Sequence, residues 1–273
     1  MKRSTISILV ALTVAVGSAP LFFLKCKAAD PVPSNTTPDG AILGATACLR
    51  DNDIKGLLER VRPPEDYAKM KEKFAGKPKM SDSDKAGFNA VLTQLTAENA
   101  EDTIYGLIKP KLAEAQGSLA DAKDGIPDMI QGLVAMQGIT DEADLKAAQE
   151  MATAIGKWVA TLKIDNEATA KKAIGIVCTT ARSLKIKSAD DLEALTFDQI
   201  LDKAGMSLAG LKQVLDLYGL SINDSLDSVK VGKPEIAGDT ATVPVTSTLL
   251  GRTMTLPAKL KKSGDCWYGK LPK

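Results

Sequence analysis

The sequence predicts an α+β protein, mostly helical, in which an antiparallel helix bundle precedes a C-terminal antiparallel four-stranded meander. Three observations carry that prediction. Between residues 81 and 218, apolar residues recur at the three-to-four spacing of helices with one buried face. After Asn223 the pattern switches to strand-like alternation, punctuated by Gly238-Asp239, Gly251 and Gly264-Asp265 as hairpin turns. The chain of 273 residues is 44% hydrophobic and 25% charged, which is a globular composition with enough length for a core.

The N-terminus reads as an export signal over residues 1–28. Lys2 and Arg3 open it, and Ile6 to Val16 is apolar except for Ser7 and Thr13. Cys26 and Ala28 suit cleavage before Ala29. The alternative is an uncleaved inner-membrane anchor over residues 6–24, against which Pro20 and the flanking Lys25 and Lys27 count. Lys25 directly before Cys26 argues against a lipoprotein signal. Residues 29–40 form a Pro- and Thr-rich linker.

The helices follow in order. Asp39 is expected to cap a first helix running to about Arg60, ended by Pro63-Pro64. A second begins at Pro64 or Glu65 and stops before Gly76. Together, residues 41–79 form N-terminal helices. Residues 80–222 form the bundle. Ser81 with Asp84 starts a helix to about Thr96. The next runs from about Glu98, with a kink or break expected at Pro110, and Pro127 starts another helical stretch. Leu145, Ala148, Ala152, Ile155, Val159 and Leu162 make one stripe; Ala170, Ile174, Val177, Ala181 and Leu184 make a second. The short connection Lys163–Glu167 predicts that these two helices pack as an antiparallel hairpin. Thr196 with Gln199 caps a shorter helix, Ser207 starts another, and Gly205 and Gly219 are read as helix stops. Residues 223–273 form the sheet, with Pro234, Pro244 and Pro257 kept off the ladder donors.

Composition excludes several function classes. Histidine is absent, which removes Ser-His-Asp and Cys-His catalysis and imidazole metal ligands. Loss of residues 1–28 removes four basic residues and no acidic one, leaving 31 basic against 34 acidic, so bulk charge gives no reason to expect a nucleic-acid partner. No glycine pattern matches a dinucleotide or phosphate loop, and no CxxC is present, so no cofactor or metal is expected. Acidic pairs at Glu65-Asp66, Asp141-Glu142 and Asp190-Asp191 sit at helix starts, where carboxylates cap donors and complement the dipole. Ser183 has lysines at 185 and 187, which does not match S-x-x-K. From residue 226 onward eight basic residues face four acidic ones, the pattern of a solvated sheet with edge lysines or of a surface for an anionic partner. Trp158, Trp267 and Tyr268 are the aromatic candidates for ligand or partner contact, with core packing as the competing use.

At the meander, Gly238-Asp239-Thr240-Ala241-Thr242-Val243 and Ser263-Gly264-Asp265-Cys266-Trp267-Tyr268 resemble the corresponding segments of exported bacterial domains of unknown function with a nuclear-transport-factor-2-like, or cystatin-like, α+β fold. The opening helix 41–61, with Arg50-Asp51-Asn52-Asp53, is similar to that family's first helix. The resemblance covers the two ends, and a long helical stretch separates them. It implies that residues 41–61 pack on the sheet, that Cys48 and Cys266 share one module and are the disulfide candidates, and that the fold serves binding; it transfers no catalytic residue. Together these readings imply an exported, periplasmic or secreted, non-enzymatic protein that binds a protein partner or a small apolar ligand. The alternatives are a membrane-tethered envelope structural protein and an enzyme built from Glu65, Asp66, Asp190 or Lys187.

Overall fold

The computed structural model describes residues 33–136 and 142–269. Residues 1–28, read from the sequence as an export signal, and residues 29–32 of the expected linker lie outside them. Among the described residues the helices are α1 Pro38–Arg50, α2 Ile54–Val61, α3 Pro64–Ala75, α4 Asp82–Thr96, α5 Ala100–Met136, α6 Glu142–Thr161, α7 Glu167–Ser183, α8 Ala189–Ala194, α9 Phe197–Leu217 and α10 Ile222–Asp227. The strands are β1 Lys230–Val231, β2 Glu235–Ala237, β3 Thr240–Leu249, β4 Arg252–Ser263 and β5 Cys266–Gly269. The α+β class expected from the periodicity switch is the one observed.

Local chemistry explains where the helices begin and end, and where expectation fails. Thr37, not Asp39, caps α1, its Oγ1 accepting from Gly40 N at 3.2 Å. The single helix expected to Arg60 is two. Asn52 adopts a left-handed conformation (φ 60°), which Asn tolerates better than most residues. The Asp53 carboxylate then accepts from Gly56 N at 2.8 Å and starts α2. Ser81 caps α4 as expected, and Thr196 with Gln199 forms a reciprocal capping box on α9.

Three helical expectations are corrected. First, α5 runs unbroken through Pro110 and Pro127. A mid-helix proline costs ~3 kcal/mol, and the apolar face on both sides of Pro110 offsets it: Ile104, Tyr105, Ile108 and Leu112 pack with Ala170, Ile174 and Cys178. Second, α9 runs through Gly205 and Ser207 rather than stopping there. Gly205 is a close-approach site: a Cβ there would lie 2.2 Å from the Asn52 carbonyl oxygen. Gly219, with φ 81°, is the stop that the sequence promised. Third, α6 and α7 do not form a packed hairpin. Among the described residues α6 packs chiefly on α5 and on β4, while α7 packs on α9, α5 and α4. The Gln116 side chain holds the connection between them, donating to Leu162 O at 3.0 Å and accepting from Ile164 N at 2.8 Å. The small residues serve other neighbours; a Cβ on Gly210 would lie 2.2 Å from Thr180 Oγ1, at the α7–α9 crossing.

The sheet order is β1-β3-β4-β5, with β2 also paired to β3, all antiparallel. The first expected strand is divided at Gly232-Lys233-Pro234 into β1 and β2, so the meander remains four strands wide. Alternation sets the buried face. Ala241, Val243, Val245 and Leu249 of β3 point inward with Met254 and Leu260 of β4 and Trp267 of β5. Ala41, Ile42 and Ala45 of α1, and Ile222 and Leu226 of α10, close that face. Thus α1 and α2 lie against the sheet, whereas α3 packs on α2 and α9 instead, and Met151 and Trp158 of α6 join the same core. The outer face carries Thr240, Thr242, Thr246 and Thr248 opposite Lys261, Lys259, Thr255 and Thr253. Cross-strand hydroxyl pairs at 2.8 and 2.9 Å lace it together.

Candidate functional surface

The carboxylates singled out in the sequence are dispersed rather than convergent. Glu65 and Asp66 occupy the first turn of α3, where Asp66 pairs with Lys69 at 3.3 Å. Asp190 pairs with Lys85 at 2.6 Å, and Asp191 accepts from Lys187 N at 2.8 Å. Lys85, held by Asp190 and Glu193, has its ammonium pushed up to about 12. These contacts dock α4 against α8. Glu142 starts α6, and Asp141 lies outside the described residues. Among the described residues no group of three or more Cys, Asp or Glu side chains is arranged to hold a metal ion.

The aromatic candidates are structural in this arrangement. Trp267 is 4% exposed within the sheet core and Tyr268 is also buried. Trp158 is half-buried, bridges the sheet core to the Leu119–Leu162–Ile164 cluster, and donates its indole N–H to Tyr218 O at 2.7 Å. The structure therefore brings Trp158 and Trp267 into one core and leaves none of the three presented on an open surface.

The expected Cys48–Cys266 bridge is not formed. Cys48, Cys178 and Cys266 are free thiols. Cys48 is buried beside Arg60 and Asp53, and burial pushes its thiol above the usual range. A neighbouring carboxylate and a dry site both disfavour the thiolate that disulfide exchange needs.

Two polar centres went unread in the sequence. Asp198, at the start of α9, accepts from Tyr67 Oη at 3.3 Å and lies 3.0 Å from Lys71 and 3.7 Å from Lys55. Burial and this carboxylate push the Tyr67 phenol up to about 12, and Phe197 meets Tyr67 edge to face and Phe74 at a tilt. Lys212, 6% exposed, donates from Nζ to the carbonyls of Leu49 and Arg50, closing the C-terminus of α1. Burial, with Arg50 nearby, pushes its ammonium down to about 8. Both centres join the N-terminal helices to α9, and neither lines the void or the groove described next.

Cavities separate two ways of binding. Inside the sheet, Val243 and Val245 are 0% exposed, and the void between α6, α10 and the strands has about 10 Å³, lined by Met151, Leu226 and Met254. That is too small for an organic ligand. On the surface, α7 and α9 diverge from their Thr180–Gly210 crossing to leave an open groove of about 590 Å³. Ile176, Met206, Ala209 and Leu217 supply its apolar lining, Thr179 and Gln213 its polar lining. Lys172 stands in its wall and makes no ion pair among the described residues, whereas the adjacent Lys171 pairs with Asp102 and Glu167. Val177, expected on the buried stripe, is 43% exposed, and Cys178 is buried instead. The groove residues lie off the stripes, so periodicity could not mark them.

No family model, no curated protein and no solved structure matches the chain.

Proposed function

We propose that this is an exported, non-enzymatic protein that binds a protein partner, with the α7–α9 groove as its contact surface. The observation that carries the reading is the contrast between a filled sheet interior and an open apolar groove. A small apolar ligand would need a concave site that buries most of its surface, and the sheet interior offers only about 10 Å³. The groove instead has the form that receives one face of an amphipathic helix, read through apolar anchors at helical spacing. Met206 and Leu217 present apolar side chains there, and Lys172, without an ion-pair partner among the described residues, offers a cation for a carboxylate on the incoming segment. The export signal supports placement in the periplasm or outside the cell. The packing of α1 on the sheet supports the resemblance to nuclear-transport-factor-2-like exported domains, with the interior of the fold used for packing instead of for ligand.

Photocrosslinking tests the reading. A photoreactive amino acid at Met206 should give one discrete protein adduct in cells exporting the protein. The same group at Val91, exposed on α4, should not. The adduct should also be lost on adding Leu217→Asp. Equal labelling from both positions, or no adduct at Met206, would contradict the groove as the contact surface.

A further inference from the structure

The meander leaves one backbone edge open. Gly232 N donates to Pro244 O at 2.7 Å, so Pro244 directs its carbonyl away from β4. In an antiparallel ladder successive residues direct their backbone groups to opposite neighbours. Val243, Val245 and Ser247 therefore bond to Ala258, Leu256 and Met254 of β4, following the observed register. The N–H and C=O groups of Thr253 and Thr255, with the carbonyl of Pro257, then point to the other side of β4. On that side β5 pairs only with Leu260–Ser263. Helix α6 approaches β4 at its buried face, where Met151 and Met254 line the same small void. No described residue hydrogen-bonds to the Thr253 or Thr255 N–H.

We propose that this edge, residues 252–257, accepts an extended acidic segment of a partner protein as an added antiparallel strand. An unpaired edge is a template for another strand, and edge addition supplies affinity through main-chain bonds. Charge selects the occupant. Exposed Arg252 stands at one end of the edge and exposed Lys261 and Lys262 beyond the other. A second copy pairing antiparallel about Thr255 would set Arg252 of each copy opposite Ala258 of the other, beside its exposed Lys259 and three residues short of its Lys261, a like-charge arrangement that opposes association. An acidic strand meets cations at both ends. Pro257 contributes an acceptor but no donor, which limits the added strand to the Thr253–Thr255 register. This surface is separate from the α7–α9 groove, and its test does not depend on that reading.

The experiment uses the full chain and a fluorescent eight-residue peptide alternating Glu and Val, with a Lys-and-Val peptide as control. Hydrogen exchange of the free protein comes first: the Thr253 and Thr255 amides should exchange fast, whereas those of Val243 and Val245 should be protected. Adding the acidic peptide should slow Thr253 and Thr255 at least tenfold. Anisotropy should show saturable binding of that peptide, weakened at least tenfold at high salt, and none of the basic control. Thr255→Pro removes the outward donor together with the Thr246–Thr255 hydroxyl pair and should abolish binding, whereas Thr255→Val, which loses only that hydroxyl pair, should bind as the parent does; Arg252→Glu should weaken binding without touching the ladder. Slow exchange of Thr253 and Thr255 in the free protein would overturn the proposal, because the edge would already be covered. So would failure of the acidic peptide to bind, equal binding by the Thr255→Pro variant, or a dimer that this variant converts to monomer.

Discussion

Asn35 and Trp267, far apart in the chain, are joined as neighbouring strands would be. Trp267 N donates to Asn35 O at 2.7 Å, and Asn35 Nδ2 donates back to Trp267 O at 3.1 Å. The same amide nitrogen reaches Arg60 O at 2.7 Å, while the Arg60 guanidinium donates to Pro33 O at 2.7 Å and to Asn35 Oδ1 at 3.3 Å. The segment entering α1 thereby covers the outer edge of β5, and α2 is fastened to both. An edge that would otherwise be open is satisfied by one side chain and one carbonyl.

Asn35→Ala should test that fastening. It removes the side-chain bonds to Trp267 and Arg60 but keeps the backbone bond to Trp267. The expected loss is about 1–3 kcal/mol, the cost of leaving partly buried polar groups unpaired. A lower denaturant midpoint at unchanged slope measures it, and exchange of β5 amides should accelerate more than exchange of α9 amides.

Lys212 should make stability depend on pH in the alkaline range. Its folded value is pushed down from 10.5 to about 8. Between those values the unfolded chain binds the proton that the folded chain has released. Stability therefore rises as pH increases from about 8 toward 10.5, and the charged form is the one that costs. The full effect is about 3 kcal/mol at ~1.4 kcal/mol per pH unit. Lys212→Met removes this contribution, so subtracting its stability curve from that of the parent between pH 7 and 10 should leave a positive slope. A flat difference would contradict a depressed lysine.

Two alanine substitutions should have opposite signs. Gly87 lies within α4 with open space around its Cβ position, so Gly87→Ala should stabilise by about 0.5–1 kcal/mol through helix propensity. Gly205 also lies within a helix, but an added Cβ would meet the Asn52 carbonyl oxygen at 2.2 Å. Gly205→Ala should therefore destabilise, by about 1–3 kcal/mol as overpacking does. Thermal midpoints of the two variants, measured side by side, check the contrast.

The contrast also shows what could be read from the sequence. Local signals were legible: the Ser81 and Thr196 caps, Pro64 at the start of α3, Gly219 at the end of α9, and the inward set Ala241, Val243 and Val245. What failed was decided by distant neighbours. Gly205 looked like a helix stop because nothing in its own segment shows that Asn52 lies against it. Pro110 looked like a break because the packing that offsets its cost comes from α7. The α6–α7 hairpin followed from a short connection, but Gln116 holds that connection from another helix. The groove residues Met206 and Leu217 were missed because they belong to no buried stripe, and Lys172 stands out only once Lys171 is seen to be paired.

The free thiols give a further prediction. Denatured protein kept from air oxidation should titrate Cys48, Cys178 and Cys266 as thiols. In the native state Cys178, 0% exposed, should react far more slowly than the partly exposed Cys266. Protection of Cys48 and Cys266 together in the denatured state would show that they pair.

The central claim is an exported protein whose sheet interior is filled and whose binding is to protein. Native mass spectrometry of the full-length product recovered from a bacterial periplasm, with a denatured run alongside, tests it most directly. The account predicts loss of residues 1–28 and a native mass equal to the bare chain, with no small molecule retained. An intact N-terminus, or a stoichiometric organic adduct released on denaturation, would contradict it.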